Sequence, residues 1–232
     1  QAGFHMTDTS CPISAPTWGA AYASAQTAIH AADLVLAGQR AVYGLCRPPG
    51  HHAFAELAGG FCYLNNSGIA AQRLTDAGRR VAILDVDLHH GNGTQAMFYN
   101  RADVLTVSIH ADPERFYPFF WGYADEVGEG EGMGANLNLP LPRGTGDEGF
   151  IAALGTALEK IDSWGADSLV LALGLDAYKG DPFAGLGVST KGFSRIGQAV
   201  AGMGLPTTVI QEGGYLCPEL GENLAAVLGE FA

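Results

Sequence analysis

An α/β fold with a mainly parallel sheet flanked by helices is predicted from three features of this 232-residue sequence. Five short apolar runs, rich in β-branched residues, have the continuous character of strands buried on both faces. They alternate with longer segments whose apolar residues recur at helical spacing, the pattern of a layered α/β domain. Each run is also followed by a polar cluster containing Gly or Pro. In open α/β sheets the ligand crevice lies at these carboxyl ends of the strands.

The elements follow in order. A helix is expected over Trp18–Ala37, then a strand at Ala41–Cys46 (AVYGLC) and a helix at Asn65–Asp76. Strands follow at Val81–Val86 (VAILDV) and Val104–Ile109 (VLTVSI). The stretch from His110 to Thr145, rich in Gly, Pro and aromatics, reads as extended loops. A helix at Asp147–Trp164 carries Phe150, Ile151, Leu154, Leu158 and Ile161 as a core-facing stripe. Then come a strand at Ser168–Leu173, a helix at Lys191–Met203, a strand at Thr207–Gln211 and a helix at Pro218–Glu230. No repeat, low-complexity stretch or dividing linker is visible, so residues 1–232 are read as one domain.

Composition narrows the function. Apolar residues make up 47% of the chain, too many for intrinsic disorder. No run reaches the roughly 18 apolar residues of a membrane span. Twelve Lys and Arg stand against 24 Asp and Glu, and a formal charge of -12 disfavours nucleic acid as a partner. The 33 glycines suit an enzyme with loop-built walls. Cys11, Cys46, Cys62 and Cys217 lie far apart without a CxxC pair, which describes neither a disulfide framework nor a thiolate metal site. Reduced thiols are expected and, with no basic or apolar leader in QAGFHMTDTSCP, so is a cytoplasmic location.

The chemistry lies after the strands: RPPGHH, DVDLHHGNG, SIHADP, GLDAYKGDP and EGGY. Asp87 and His89 are two residues apart, so in extended chain both side chains share a face and can reach one metal. Asp176 is the natural third ligand from another strand end. Two carboxylates and one imidazole neutralise a divalent ion while leaving room for water or substrate. The alternative is that Asp87 and His89 merely cap the strand end. His51 and His52, a tandem pair behind two prolines, supply a general base and a general acid near such a water. Asp85 and Asn92 are suited to orient those imidazoles, and Asp85 can instead hold a monovalent cation with backbone carbonyls. His90 is expected to be structural. Tyr215, after Gly213 and Gly214, either stabilises an oxyanion or packs at the rim. Phe61, Phe116, Tyr117, Phe119, Phe120 and Phe183 can together wall an apolar channel, although each alone fits a core.

These segments, with GGFCYLNN (Gly59–Asn66), closely resemble the zinc-dependent histone deacetylase superfamily. The match runs from about Cys46 to near the C-terminus. Asp112–Gly132 looks most like bacterial acetylpolyamine amidohydrolases, with class II-type deacetylases next. The resemblance implies an arginase/deacetylase-like fold and a catalytic zinc held by Asp87, His89 and Asp176, a site that iron or cobalt can also fill. It implies that His51 and His52 flank the catalytic water and that Tyr215 assists the carbonyl. Phe61 and Tyr117 are implied to face each other across the channel, with Phe183 on the wall and the Gly60 carbonyl at the substrate amide. A structural potassium ion is implied at Asp85, Asp87, His89, Ser108 and Ile109. The expected reaction is hydrolysis of N-acetyl amides, foremost deacetylation of acetylpolyamines to acetate and free amine. The alternatives are protein acetyl-lysine deacetylation and, less favoured, an inactive binding module on the same fold. The expected partner is a small acetylated amine, with a homodimer open to the chain. The resemblance also implies that the family's N-terminal segment, which supplies a first strand and a rim loop, is lacking.

Overall fold

The computed structural model describes residues 5–232; the first four residues of the segment read as free of a leader lie outside them. Six strands form one sheet: β1 (Ala41–Gly44), β2 (Val81–Asp85), β3 (Val104–Ala111), β4 (Asn136–Leu141), β5 (Ser168–Leu173) and β6 (Thr207–Gln211). Their order is β1-β6-β5-β2-β3-β4, and every pairing is parallel. The helices are α1 (Thr17–Leu36), α2 (Asn66–Asp76), α3 (Asn92–Phe98), α4 (Asp147–Trp164), α5 (Thr190–Ala201) and α6 (Leu220–Leu228). Among the described residues, no helix is long and apolar enough to cross a membrane.

Two cores explain why the strand sequences are apolar without alternation. Val81, Ile83, Val104, Val170 and Ile210 face one layer, where they meet Ala28, Ala32 and Val35 of α1 and Ala70, Ala71 and Leu74 of α2. Their neighbours Ala82, Leu84, Leu105, Val107, Leu169, Leu171 and Val209 face the other, against Phe150, Leu154, Ala157 and Ile161 of α4 and Phe193, Ile196 and Val200 of α5. Successive side chains on a strand point to opposite faces, so a strand covered twice must be apolar throughout. The buried face of α1 is mostly alanine, which lets that helix lie close on the sheet. Side-chain caps fix the starts of α2 and α5: Asn65 accepts from the Gly68 N–H at 2.8 Å, and Ser189 from the Gly192 N–H at 3.1 Å.

The expected elements are present with ends shifted by a few residues. The β1 ladder stops at Gly44 rather than Cys46, because the Cys46 N–H turns back to the Gly44 carbonyl at 2.8 Å. The reading of His110–Thr145 as loops is corrected: it contains the end of β3, all of β4 and a 3₁₀ turn at Gly130–Gly132. In β4, Asn136 and Asn138 are buried while Leu137 and Leu139 are only partly covered, an inversion of the usual polar-out pattern. Pro140 is tolerated because β4 is an edge strand. The seven-residue α3 was not anticipated either; it is short and its first turn carries the polar residues Asn92 and Thr94.

Candidate active site and metal centre

The strand ends gather the expected residues. Asp87 and His89 lie in a bend just past β2 rather than in extended chain, a correction to the shared-face argument. They are brought together instead by a local turn in which the Asp87 carboxylate accepts the His89 N–H at 2.8 Å. Asp176 arrives from the loop after β5 and accepts the Leu88 N–H at 2.9 Å. The result is three buried ligand atoms within 4.8 Å of one another. His89 Nδ1 sits 3.2 Å from Asp87 Oδ1 and 3.1 Å from Asp176 Oδ2.

This donor set fits a divalent cation. Burial and the charge of Asp87 push the Asp176 carboxyl up to about 6, while His89 is held up to about 9 because its two carboxylate partners outweigh burial. Two buried carboxylates on a single imidazole leave excess negative charge that a divalent ion removes. The site is also shaped tightly. A Cβ at Gly213 would overlap Asp176 Oδ2 and lie 2.5 Å from Asp87 Oδ2, and one at Gly174 would lie 2.5 Å from the Asp87 Cα. The Gly213 N–H donates to Asp87 Oδ2 at 2.7 Å.

The two histidines differ in their partners. His51 Nδ1 lies 2.9 Å from Asp85 Oδ2, and His51 Nε2 lies 3.7 Å from Asp87 Oδ1. His52 Nδ1 lies 2.7 Å from the Asn92 amide oxygen. Their rings are 4.0 Å apart, and both side chains are buried. Burial disfavours charge on each, but the carboxylates of Asp87 and Asp85 overcome it at His51, whose imidazole is raised well above its ordinary range. At His52 burial and the cations of His51 and His89 act together, holding it well below.

His52, His89, Tyr215, Gly60, Phe61, Tyr117 and Phe183 line one cavity of about 500 Å³. Phe61 and Phe183 are 41% and 39% exposed, which makes them walls rather than core. Phe183 stands edge-on to Tyr215 at 4.5 Å and to His89 at 5.3 Å; Tyr117 is edge-on to His52 at 4.9 Å. Phe61 has φ 68, a region bulky residues avoid, and Gly60 before it has φ 52. A Cβ at Gly60 would overlap the His52 ring, so only glycine lets this turn approach. Phe116 and Phe119 also line the cavity, whereas Phe120 does not: it lies in a bend and is 81% exposed. Phe61 and Tyr215 border a second cavity of about 550 Å³ on their other side.

The five residues expected around potassium are all buried, and Asp85 and Ser108 are paired across β2 and β3. The Ser108 hydroxyl lies 2.8 Å from His110 Nδ1. His90 belongs to a buried polar cluster, with Nε2 at 2.9 Å from Gln95 Oε1. Gln95 in turn donates to Glu126 at 2.7 Å and accepts from Asn136 and Asn138. Two site residues escaped sequence reasoning. Asp8 accepts the Tyr117 hydroxyl at 2.6 Å and the Gly60 N–H at 3.0 Å; partial burial pushes its carboxyl up, but these bonds and those from Ser10 bring it down to about 2. Glu212 is buried beneath the histidine loop, and burial pushes its carboxyl up to about 7. Glu212 stood in the EGGY segment without a role, and Asp8 lies in irregular chain that gives no periodic signal.

The chain resembles known proteins in both sequence and fold. The profile of the histone deacetylase domain matches residues 1–231. The acetylpolyamine amidohydrolase of Burkholderia pseudomallei is 50% identical over 231 residues, which cover 100% of this chain and 68% of that protein. Acetylpolyamine amidohydrolase 1 of Pseudomonas aeruginosa is 50% identical over 229 residues, 98% of this chain and 66% of the relative. A crystal structure of the Burkholderia pseudomallei acetylpolyamine aminohydrolase superposes with a TM-score of 0.96 at 50% identity, over 98% of this chain and 66% of that one. The chain thus spans about two thirds of the length of these relatives. With that profile matched over nearly the whole chain and relatives at 50% identity, the chain belongs to the histone deacetylase domain family.

Proposed function

We propose that this chain hydrolyses the amide of small N-acetylated amines, acetylpolyamines foremost, to acetate and a free amine. The observation that carries the reading is one arrangement: the buried Asp87, His89 and Asp176 set beside a histidine pair, at the end of an aromatic-walled cavity. The names of the relatives at 50% identity support the substrate class. Asp87, His89 and Asp176 would hold a divalent cation, zinc in this reading, which supplies Lewis acidity toward the acetyl carbonyl and makes water at the site more acidic. Asp85 and Ser108, with backbone oxygens of Asp87, His89 and Ile109, are proposed to hold potassium.

The remaining chemistry belongs to the chain. The Asn92 amide oxygen can only accept a hydrogen bond, so His52 Nδ1 carries the hydrogen and donates to it, which leaves Nε2 as the free base. We therefore assign His52 the water's proton. His51, bonded to the Asp85 carboxylate, stays cationic and stabilises developing negative charge from Nε2. The Tyr215 hydroxyl donates to the oxyanion. His52 then returns its proton to the departing amine nitrogen, so that water is consumed and both products leave closed-shell. Phe61, Tyr117 and Phe183 exclude water around the alkyl chain, and the Gly60 carbonyl accepts from the amide N–H. Buried free thiols at Cys11, Cys46 and Cys62 are compatible with a reducing, cytoplasmic setting. Exposed Phe119, Phe120 and Trp121 near the cavity mouth are compatible with a second copy packing there.

The test is acetate release from acetylputrescine and from an acetyl-lysine peptide, with zinc restored and metal content measured. Preference for acetylputrescine is expected. Preference for the peptide would move the substrate class to proteins, and silence on both with stoichiometric zinc would refute the hydrolytic reading.

A further inference from the structure

Glu212 follows the last residue of β6 and turns its carboxylate toward the loop that bears His51 and His52. Its Oε2 accepts the N–H groups of Gly50 at 2.7 Å and His51 at 3.0 Å, and its Oε1 accepts the Ser67 hydroxyl at 2.6 Å. The residue is 5% exposed. Placing a carboxylate in such a site carries a desolvation cost that only well-made bonds offset. Two successive N–H groups on one oxygen fix the peptide planes on either side of Gly50, and with them the direction in which His51 leaves the backbone.

The loop is held on its other sides as well. A Cβ at Gly50 would overlap the Asn66 backbone nitrogen and lie 2.8 Å from the Leu64 carbonyl, so the start of α2 presses directly on it. The His51 carbonyl accepts from the Thr94 N–H at 3.1 Å, and the Ala53 carbonyl from the Asn65 side chain at 3.0 Å. Glu212 supplies the contact from the β6 end. That end also carries Gly213, bonded to Asp87, and Tyr215. One short segment thus touches the histidine loop, the ligand set and the phenol.

We propose that Glu212 is a positioning residue that fixes the tandem-histidine loop relative to the segment carrying Tyr215, acting through hydrogen bonds rather than through contact with substrate. The proposal rests on the hydrolytic reading above for its activity measurements, but not for its structural one. Misplacing reacting groups by about 1 Å can cost on the order of 100-fold in rate. For Glu212→Ala we expect kcat on acetylputrescine to fall about 10- to 100-fold, with KM within about 2-fold and zinc content unchanged. Amide hydrogen exchange in the Arg47–Phe54 segment should become roughly 10-fold faster. Glu212→Gln should rescue both, because its amide oxygen accepts the two N–H groups while its NH₂ donates to Ser67. Ser67→Ala should give a smaller loss of kcat with partial deprotection.

An unchanged kcat and unchanged exchange in Glu212→Ala would overturn the proposal. So would a Glu212→Gln variant that keeps exchange protection yet is as slow as the alanine variant, since the charge and not the bonds would then matter. Should Glu212→Ala fail to fold, Glu212→Gln and Ser67→Ala decide: loss of protection in the first, or none in the second, overturns it. If the unaltered chain releases no acetate from any substrate, the hydrolytic reading falls, and the exchange contrast among the three variants still decides the positioning role.

Discussion

The different partners of the two histidines make Asn92→Asp a sharp perturbation. The substitution is isosteric and keeps an oxygen at 2.7 Å from His52 Nδ1, but replaces a neutral amide with a carboxylate. Taking the charges about 4 Å apart and an effective dielectric of about 20, their attraction is on the order of 4 kcal/mol. That corresponds to roughly 3 pH units. Burying a new carboxylate near Asp85 and Asp87 offsets part of it, and about 1–2 units should survive. The sign follows from the starting point. Burial and the neighbouring cations keep His52 well below its ordinary range, so it is the free base at neutral pH. A raised value protonates it, and the base is lost on the acid side. The ascending limb of kcat/KM for acetylputrescine should therefore move up by about 1–2 pH units, with the two enzymes converging on the alkaline plateau. The assay is kcat/KM from acid to alkaline pH with metal content checked at each end. A limb that stays in place at full metal occupancy would refute the assignment of His52 as base, and a uniform drop at every pH would trace the effect to packing.

Gly213→Ala should weaken divalent-metal binding by at least about tenfold, measured by competition with a chelator, because its Cβ intrudes between Asp176 and Asp87. Asp8→Ala releases both Tyr117 and Gly60, so KM should rise several-fold while kcat moves little; equal falls in kcat and kcat/KM would place Asp8 in the chemistry instead. The depressed carboxyl of Asp8 also contributes stability above about pH 4 that is lost as pH falls toward 2, and acid unfolding of the Asp8→Asn variant should lack that component. His110 is fully buried and burial holds it down to about 4, with Nε2 at 2.9 Å from the Gly122 carbonyl. Its contribution is present above pH 6.5 and lost as pH falls through 4, on the order of 3 kcal/mol. Urea titrations of His110→Gln between pH 7 and 4 should show a flatter decline, and an unchanged slope would contradict this.

Much of the site could be read from residue identity alone. Asp87, His89, Asp176, the tandem histidines and Tyr215 each follow an apolar run, and in a parallel sheet all strands end on the same side. Convergence therefore follows from the order of elements, without knowledge of any distance. The aromatic walls at Phe61, Tyr117 and Phe183 were implied by the family resemblance, whereas residue identity alone left each of them equally suited to a core. Phe120 had the same chemistry and sequence context, yet it faces solvent, because the backbone direction in the bend at 119–121 is set by the fold and not by residue type.

What the chain order could not decide was anything that depends on a partner across the fold. The β4 strand stayed hidden because its buried face is Asn136 and Asn138, whose side-chain NH₂ groups donate to Gln95, Glu126 and the Glu126 and Tyr123 carbonyls, partners that only the folded chain brings near. Asp8 and Glu212 look like ordinary acidic residues until tertiary packing sets them against Gly60 and Tyr117, or against Gly50, His51 and Ser67. The two adjacent imidazoles are chemically identical in the sequence. Only the folded chain gives one a carboxylate and the other an amide, and that difference in local field is what separates their proton affinities.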